Sequence, residues 1–400
     1  MNKQIKQRIA QLNNGEIPNG YKKTEFGVFP GDWITDKKLK DLGVFGKGKG
    51  IPGDKMQSEG VPCVGYGDIY MKYNHFHFEK ALSFVDKETA KDSQLIKKGT
   101  LLFTGTGETA DEIGKCVCYN GEEDIYAGGD IVTFVSDEVN PLFLAYQQYQ
   151  SFSLRKKASF GQGHSVVHIQ KENLEKLDVA YPPSLQEQAK IAEILMKWDE
   201  AIELMDLYKD LLLKKKKYFL SVLLLPKKDW CVSTFGETGD IYQPQTISEN
   251  EMTPNGYSVY GANGLIGYYS KYNHEDSQVA ITCRGSTCGV VTFTAPYSWI
   301  TGNAMVFSPN EKVMIKKFAY YSCLNRSFNN VISGSGQPQI TRQALKMQKI
   351  YYPSMKMQQK TVDLLDSLSL QIELVNKKSD RIKTQRKALQ QYLLNGIVRV

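Results

Sequence analysis

The sequence predicts an α/β (α+β) tandem repeat: two mixed α/β globular domains separated by a pair of long antiparallel coiled-coil helices. Two observations carry that reading. Residues 181–224 and 351–394 correspond at a constant offset of 170, pairing Tyr181 with Tyr351, Pro183 with Pro353, Ser184 with Ser354, Leu195 with Leu365 and Ile202 with Ile372. The stretch before each segment carries the same landmarks in the same order. Asp32-Trp33 answers Asp229-Trp230 at the opening, and Gly161-Gln162-Gly163 answers Gly334-Ser335-Gly336 near the close. Such self-similarity governs the fold reading before any local propensity does.

Length and composition agree. A chain of 400 residues is long enough for two or three domains, each with its own core. With 41% hydrophobic and 23% charged residues it reads as globular. No apolar run approaches the ~18 residues of a membrane span, and the polar N-terminus lacks a signal core. Seven thinly spread cysteines argue against a disulfide framework. Together these features predict a soluble, cytoplasmic protein with no membrane partner. A net charge of +7 is compatible with a polyanionic partner without demanding one.

In chain order, residues 1–19 form a short N-terminal helix with Ile5, Ile9 and Leu12 on one face. Its end, Leu12, Asn14 and Gly15, echoes Leu393, Asn395 and Gly396 and so belongs near the end of the last helix. Residues 20–183 form the first domain, with strands at 100–104, 115–119 and 131–135 and a helix through Leu144-Ala145-Tyr146. Residues 184–226 are the central long helix. Residues 227–353 form the second domain, with strands at 278–282, 289–294 and 304–308 and a helix through Phe318-Ala319-Tyr320. Residues 354–400 are the C-terminal long helix and tail. Pro183 and Pro353 favour an extended approach to the long helices, and Ser184 and Ser354 are good N-caps. Glu187 completes a capping box in the first copy, where the second has Met357.

Alternating steps of four and three trace a seam on each long helix. It runs through Ile191, Leu195, Trp198, Ile202, Met205, Leu212 and Phe219 in the first. In the second it runs through Leu365, Leu368, Ile372, Val375, Ile382, Leu389 and Leu393. Polar breaks fall at equivalent steps, Lys209 with Ser379 and Lys216 with Arg386. These shared breaks favour mutual packing over the alternative in which each helix packs on its own globule.

No self-sufficient active site is legible. Gly43 to Gly48-Lys49 approaches a phosphate loop, but Gly50 stands where Ser or Thr would hold Mg²⁺. Tyr181-Pro182-Pro183-Ser184 lacks both the polar and the aromatic residue of an adenine-methylating site. The pairs Cys116/Cys118 and Cys283/Cys288 have no second pair at zinc spacing, so no metal site is expected. The remaining chemistry suits nucleic acid. Lys47 and Lys49 sit on a Gly-rich turn able to approach phosphates. Tyr66, Asp68, Asn74, His75 and His77 cluster in the first half, with His164 further on. Asn263, Lys271, Asn273 and His274 cluster in the second. Arg284, Gln337, Gln339 and Arg342 add the forks and amides that read guanine and adenine edges. Each is also compatible with an ordinary solvated loop.

The chain resembles the specificity (S) subunits of type I restriction-modification enzymes. The resemblance spans essentially the whole length. It rests on Gly20–Trp33 (GYKKTEFGVFPGDW), the paired Gly-x-Gly leads, the two helices with Glu187-Gln188-Ala189-Lys190-Ile191, and the tail Leu393–Val400. It implies two target-recognition domains, each reading one half of a bipartite, asymmetric site in double-stranded DNA, with the helices fixing the spacer. It also implies a non-catalytic chain without a cofactor of its own. Two modification subunits would carry S-adenosylmethionine for adenine methylation, and two restriction subunits would use ATP and Mg²⁺. An autonomous methyltransferase or nuclease, or a scaffold that binds only protein, are the competing readings.

Overall fold

The computed structural model describes every residue except Met1, Asn2, Asn74, His75, His164 and Ser335. The chain divides into two compact units, residues 1–204 with 379–400 and residues 205–378.

Unit one opens with helix α1 (Lys3–Asn13). Among its strands are β1 (Val44–Lys47), β2 (His77–Phe78), β3 (Leu101–Thr104), β4 (Thr106–Gly107), β5 (Cys116–Tyr119), β6 (Ile131–Val135) and β7 (Val167–His168). Helix α2 (Pro141–Gln147) lies between β6 and β7, capped by the Asn140 side chain. The main sheet has the order β1–β6–β3–β5–β2, antiparallel except for β5 with β2. Strands β3 and β5 are buried along their whole length, as continuous apolar runs covered on both faces must be. Alternation sorts their side chains. Leu101, Phe103, Cys116 and Cys118 join one core with α2 and the long helices, while Leu102, Val117 and Tyr119 join a second core with Val64, Ile69 and Ile125.

The first long helix is α3 (Leu185–Leu223). Unit two contains β8 (Gly239–Tyr242), β9 (Val279–Thr282), β10 (Val291–Phe293), β11 (Ala304–Pro309), helix α4 (Lys316–Leu324), β12 (Ile332–Ser333) and β13 (Gln339–Ile340). Its main sheet runs β8–β11–β9–β10, entirely antiparallel, the same order as β1–β6–β3–β5. The second long helix is α5 (Met355–Leu394).

Burial follows the four-three seam on both long helices. Ile191, Leu195, Leu212, Leu365, Leu368, Val375 and Leu393 are buried. Trp198, Ile202, Met205, Phe219, Ile372, Ile382 and Leu389 are half-buried. Ile191, Leu195, Leu389 and Leu393 share a core in unit one; Phe219, Leu224, Val362 and Leu365 share one in unit two. The start of α3 therefore meets the end of α5, and the end of α3 meets its start, an antiparallel pairing. Polar seam positions are also enclosed. Arg386 Nε and Nη2 donate to Asp199 at 2.7 and 3.0 Å, and Tyr146 Oη donates to the same carboxylate at 2.8 Å.

Two local readings of the sequence need correction. The helix register is Phe143 with Phe318 and Tyr146 with Tyr321, one residue away from the match of Leu144-Ala145-Tyr146 with Phe318-Ala319-Tyr320. It is set by which side chains are buried, and by the phenols donating to Asp199 and to Asp366. Ser184 Oγ caps the Glu187 N–H at 3.3 Å, but the Glu187 carboxylate does not close a capping box. It accepts from Arg399, whose fork also grips Asp32 at 2.9 Å. A charge-assisted pair outcompetes a neutral backbone donor.

Gln188 and Gln358 repeat one arrangement. Gln188 donates to Pro182 O at 2.8 Å and accepts from Asn140 N at 2.7 Å. Gln358 donates to Pro353 O and Val313 O at 3.0 Å and accepts from Ile315 N at 2.9 Å. Each fully buried amide ties the start of its long helix to the N-cap of α2 or α4.

Candidate nucleic-acid interface

Beyond the end of its central strand, each unit builds a small antiparallel sheet on one register. In unit one, Thr106 lies opposite His168, and His168 bridges Gln162 through His168 N→Gln162 O at 2.8 Å and Gln162 N→His168 O at 3.0 Å. In unit two, Arg284 lies opposite Gln339, which pairs with Ser333. The frames align through one further bond each, Ile169 N→Gly105 O at 2.9 Å and Ile340 N→Cys283 O at 3.0 Å. Thr106 thus corresponds to Arg284, His168 to Gln339 and Gln162 to Ser333, so the strand register pairs Gly163, not Gly161, with Gly334 and shifts the Gly-x-Gly match read from the sequence by two residues. Gly163 and Gly334 lie at φ +123° and +89°, a backbone region open to glycine.

In unit one a groove of about 220 Å³ beside this frame is lined by Lys47, Thr106, Asp130, His168, Gln170 and Lys171, among others. Lys47 ends β1 and Lys49 follows on the turn; both are exposed, without a side-chain hydrogen bond or ion pair among the described residues. A Cβ on Gly48 would lie 1.8 Å from Gly128 O, so only glycine permits this turn. Tyr66 is exposed at the start of a short helix, Tyr66–Met71. Asp68 is interior, accepting from Gly65 N and Ser83 Oγ at 2.9 Å and pairing with Lys72 at 2.8 Å. Its carboxylate is committed to the fold. His77 is half-buried in β2. Asn74, His75 and His164 lie outside the described residues.

In unit two, Asn263 is exposed at the turn before Gly264 (φ +75°) and lines a second groove of about 410 Å³ with Glu249, Thr301 and Asn303. Lys271 is exposed. Asn273 works inward, donating to Ile300 O at 3.1 Å and accepting from Ile300 N at 2.9 Å. His274 Nε2 pairs with Tyr242 Oη at 2.9 Å, and burial, then the charge of Lys316, holds its pKa below the ordinary histidine value. Arg284, Gln337, Gln339 and Arg342 are all exposed, and Arg342 opens a short helix capped by Thr341. The structure therefore brings Arg284 against Gln339. It sets Asn263, Asn273 and His274 elsewhere in the same unit.

Among the described residues no group of three or more His, Cys, Asp or Glu side chains is arranged to hold a metal ion. Burial pushes the Cys116 thiol up to about 12, and Cys118 beside it is raised as well. Neither is a ready thiolate. Thr106, Gln162 and His168 escaped the sequence reading, although the shared Ile169/Ile340 alignment places His168 and Gln339 at one position.

The comparisons with known proteins decide the family. The model of the type I restriction modification DNA specificity domain matches twice, over residues 30–212 and 227–384. The chain belongs to that family. A Methanocaldococcus jannaschii protein, provisionally named the type I restriction enzyme MjaX specificity subunit, is 23% identical over 95% of this chain and 97% of its own length. The S subunit of a type I restriction-modification system from M. genitalium shares the fold, with a TM-score of 0.65, 15% identity and coverage of 94% and 97% of the two chains. So does a chain from a structure describing complex assembly and conformational transition of the type I R-M system, with a TM-score of 0.55, 12% identity and coverage of 96% and 100%. The two family matches fall on the two halves of the repeat. Among the described residues no helix is long and apolar enough to cross a membrane.

Proposed function

We propose that the chain is the non-catalytic specificity subunit of a type I restriction-modification complex. Each globular domain reads one half of a bipartite, asymmetric site in double-stranded DNA, and the paired helices fix the spacer. The observation that carries this reading is one backbone frame present twice with different exposed side chains, inside a chain matched twice by a DNA specificity family. Equal mounts with unequal readers suit an asymmetric sequence.

On this reading two modification subunits dock on the helices and bring S-adenosylmethionine, and two restriction subunits bring ATP and Mg²⁺. An uncovered apolar stripe on α3 supports docking there. Leu204, Leu207, Tyr208, Leu211, Tyr218 and Val222 are exposed at spacings that keep them on one side of the helix. The test is co-expression with the neighbouring methyltransferase gene, followed by mapping of methylated adenines. The expected result is one bipartite motif with a fixed gap. Replacing 227–353 by the corresponding domain of another such chain should change one half of that motif only. Altered bases in both halves would reject independent reading.

A further inference from the structure

Directly opposed residues of an antiparallel ladder point their side chains to the same face. The register therefore gathers Thr106, Gln162 and His168 on one face of the frame in unit one, and Arg284, Ser333 and Gln339 on the equivalent face in unit two. We propose that these two triads contact base edges in the major groove and set the identity of each half-site, an inference that rests on the DNA-reading function above.

Three observations carry it. First, five of the six are accessible: Gln162, His168, Arg284, Ser333 and Gln339 are exposed, while Thr106 is buried at the wall of the groove beside Lys47 and Lys171 and reaches it through His168. Second, most of their hydrogen-bonding capacity is unspent. Among the described residues the side chains of Gln162, Arg284 and Gln339 make no hydrogen bond or ion pair. His168 uses Nδ1 on Thr106 Oγ1 at 3.1 Å and keeps Nε2 for a partner. Third, frame and content separate. Backbone register and the buried Ile169/Ile340 anchor are common to both units, while the presented side chains differ at every position. Folding does not require that difference; reading two unlike half-sites does.

The chemistry of each triad is specific. Arg284 offers a planar fork that matches guanine O6 and N7, and the Gln339 amide beside it matches adenine N6 and N7. The unit-one triad carries no fork. Its groove also holds Asp130 and Glu172, which repel phosphate and accept from base amino groups such as cytosine N4. Lys47 and Lys171 on the same rim supply the phosphate contacts that carry no sequence information.

The test uses the complete complex and its methylation motif. Arg284→Ala should relax one guanine in one half-site, lowering its preference over other bases about 5- to 150-fold, with the other half-site and the gap unchanged. Arg284→Lys keeps the charge and loses the fork, and should relax the same position. Thr106→Ala with His168→Ala should relax the opposite half-site only. An unchanged motif methylated uniformly less well would make Arg284 a phosphate contact and overturn the proposal, as would relaxation in both halves. Where a variant loses methylation altogether, the same complex selects from a random DNA pool. Lost preference at one position then supports the assignment, and retained preference refutes it. A wild-type complex without a bipartite motif would instead sink the function proposed above.

Discussion

Breaking the Asp199–Arg386 pair tests how the long helices are held in register. Both residues are enclosed, with relative exposures of 5% and 8%. The guanidinium reaches the carboxylate at 2.7 and 3.0 Å, bonds Gln390, and lies 4.7 Å from the Phe76 ring centroid. In Arg386→Ala the Asp199 carboxylate keeps, among the described residues, only the Tyr146 hydroxyl as a donor in a desolvated seam. Stranding a buried charge in this way costs about 3–5 kcal/mol. For a unit of this size that lowers the melting temperature by about 6–20 °C. Asp199→Leu with Arg386→Met removes both charges and fills the space, so it should melt within a few degrees of wild type. In unit two Tyr321 donates to Asp366, whose side chain is 40% exposed beside Lys317, and Asp366→Ala should cost no more than about 1 kcal/mol. Differential scanning calorimetry of the three variants beside wild type measures this. If Arg386→Ala melts with wild type, or the paired replacement is as damaging as the single one, the pair is not the register pin.

Gln188→Ala and Gln358→Ala should each destabilise their own unit by about 1–3 kcal/mol in urea unfolding, because both strand a partly buried N–H at a helix start. Lys157 donates to Gly114 O at 2.9 Å, and burial lowers its pKa to about 8. Between about pH 8 and 10.5 the unfolded chain holds the extra proton, so this residue makes stability rise with pH. Subtracting Lys157→Met from wild type in pH-dependent melts should isolate that rise; a flat difference refutes it. Burial raises Cys63, Cys116 and Cys323 to about 12, which acts the other way: their contribution is complete below about pH 9 and is lost above it. Adding one heptad to both α3 and α5 lengthens each by about 10 Å, and methylome mapping should show a gap longer by about 3 base pairs with the bases unchanged. A changed half-site at an unchanged gap contradicts that reading.

Much of the architecture was legible because burial writes itself into periodicity. The strands read at 100–104, 115–119 and 131–135 appear at Leu101–Thr104, Cys116–Tyr119 and Ile131–Val135. The helix seam was legible for the same reason, since apolar side chains repeat wherever a helix is covered along its length. The candidate interface was legible only in part. Arg284 and Gln339 could be chosen by residue type, but their opposition across a ladder could not. Asp68 looked like a reader and is a structural carboxylate.

By itself the sequence determined that the chain is duplicated, that each copy feeds a long helix, and that the two copies carry different polar loops. Local spacing suffices for this, because periodicity and caps act between near neighbours. The tertiary structure alone decided which polar groups are spent internally and which stay available. Asn273, His274 and Glu187 find partners far along the chain, whereas Thr106, Gln162 and His168 are gathered onto one face by strand pairing. Hydrogen-bond partnership over long sequence separations follows from the packed geometry, and no local pattern encodes it.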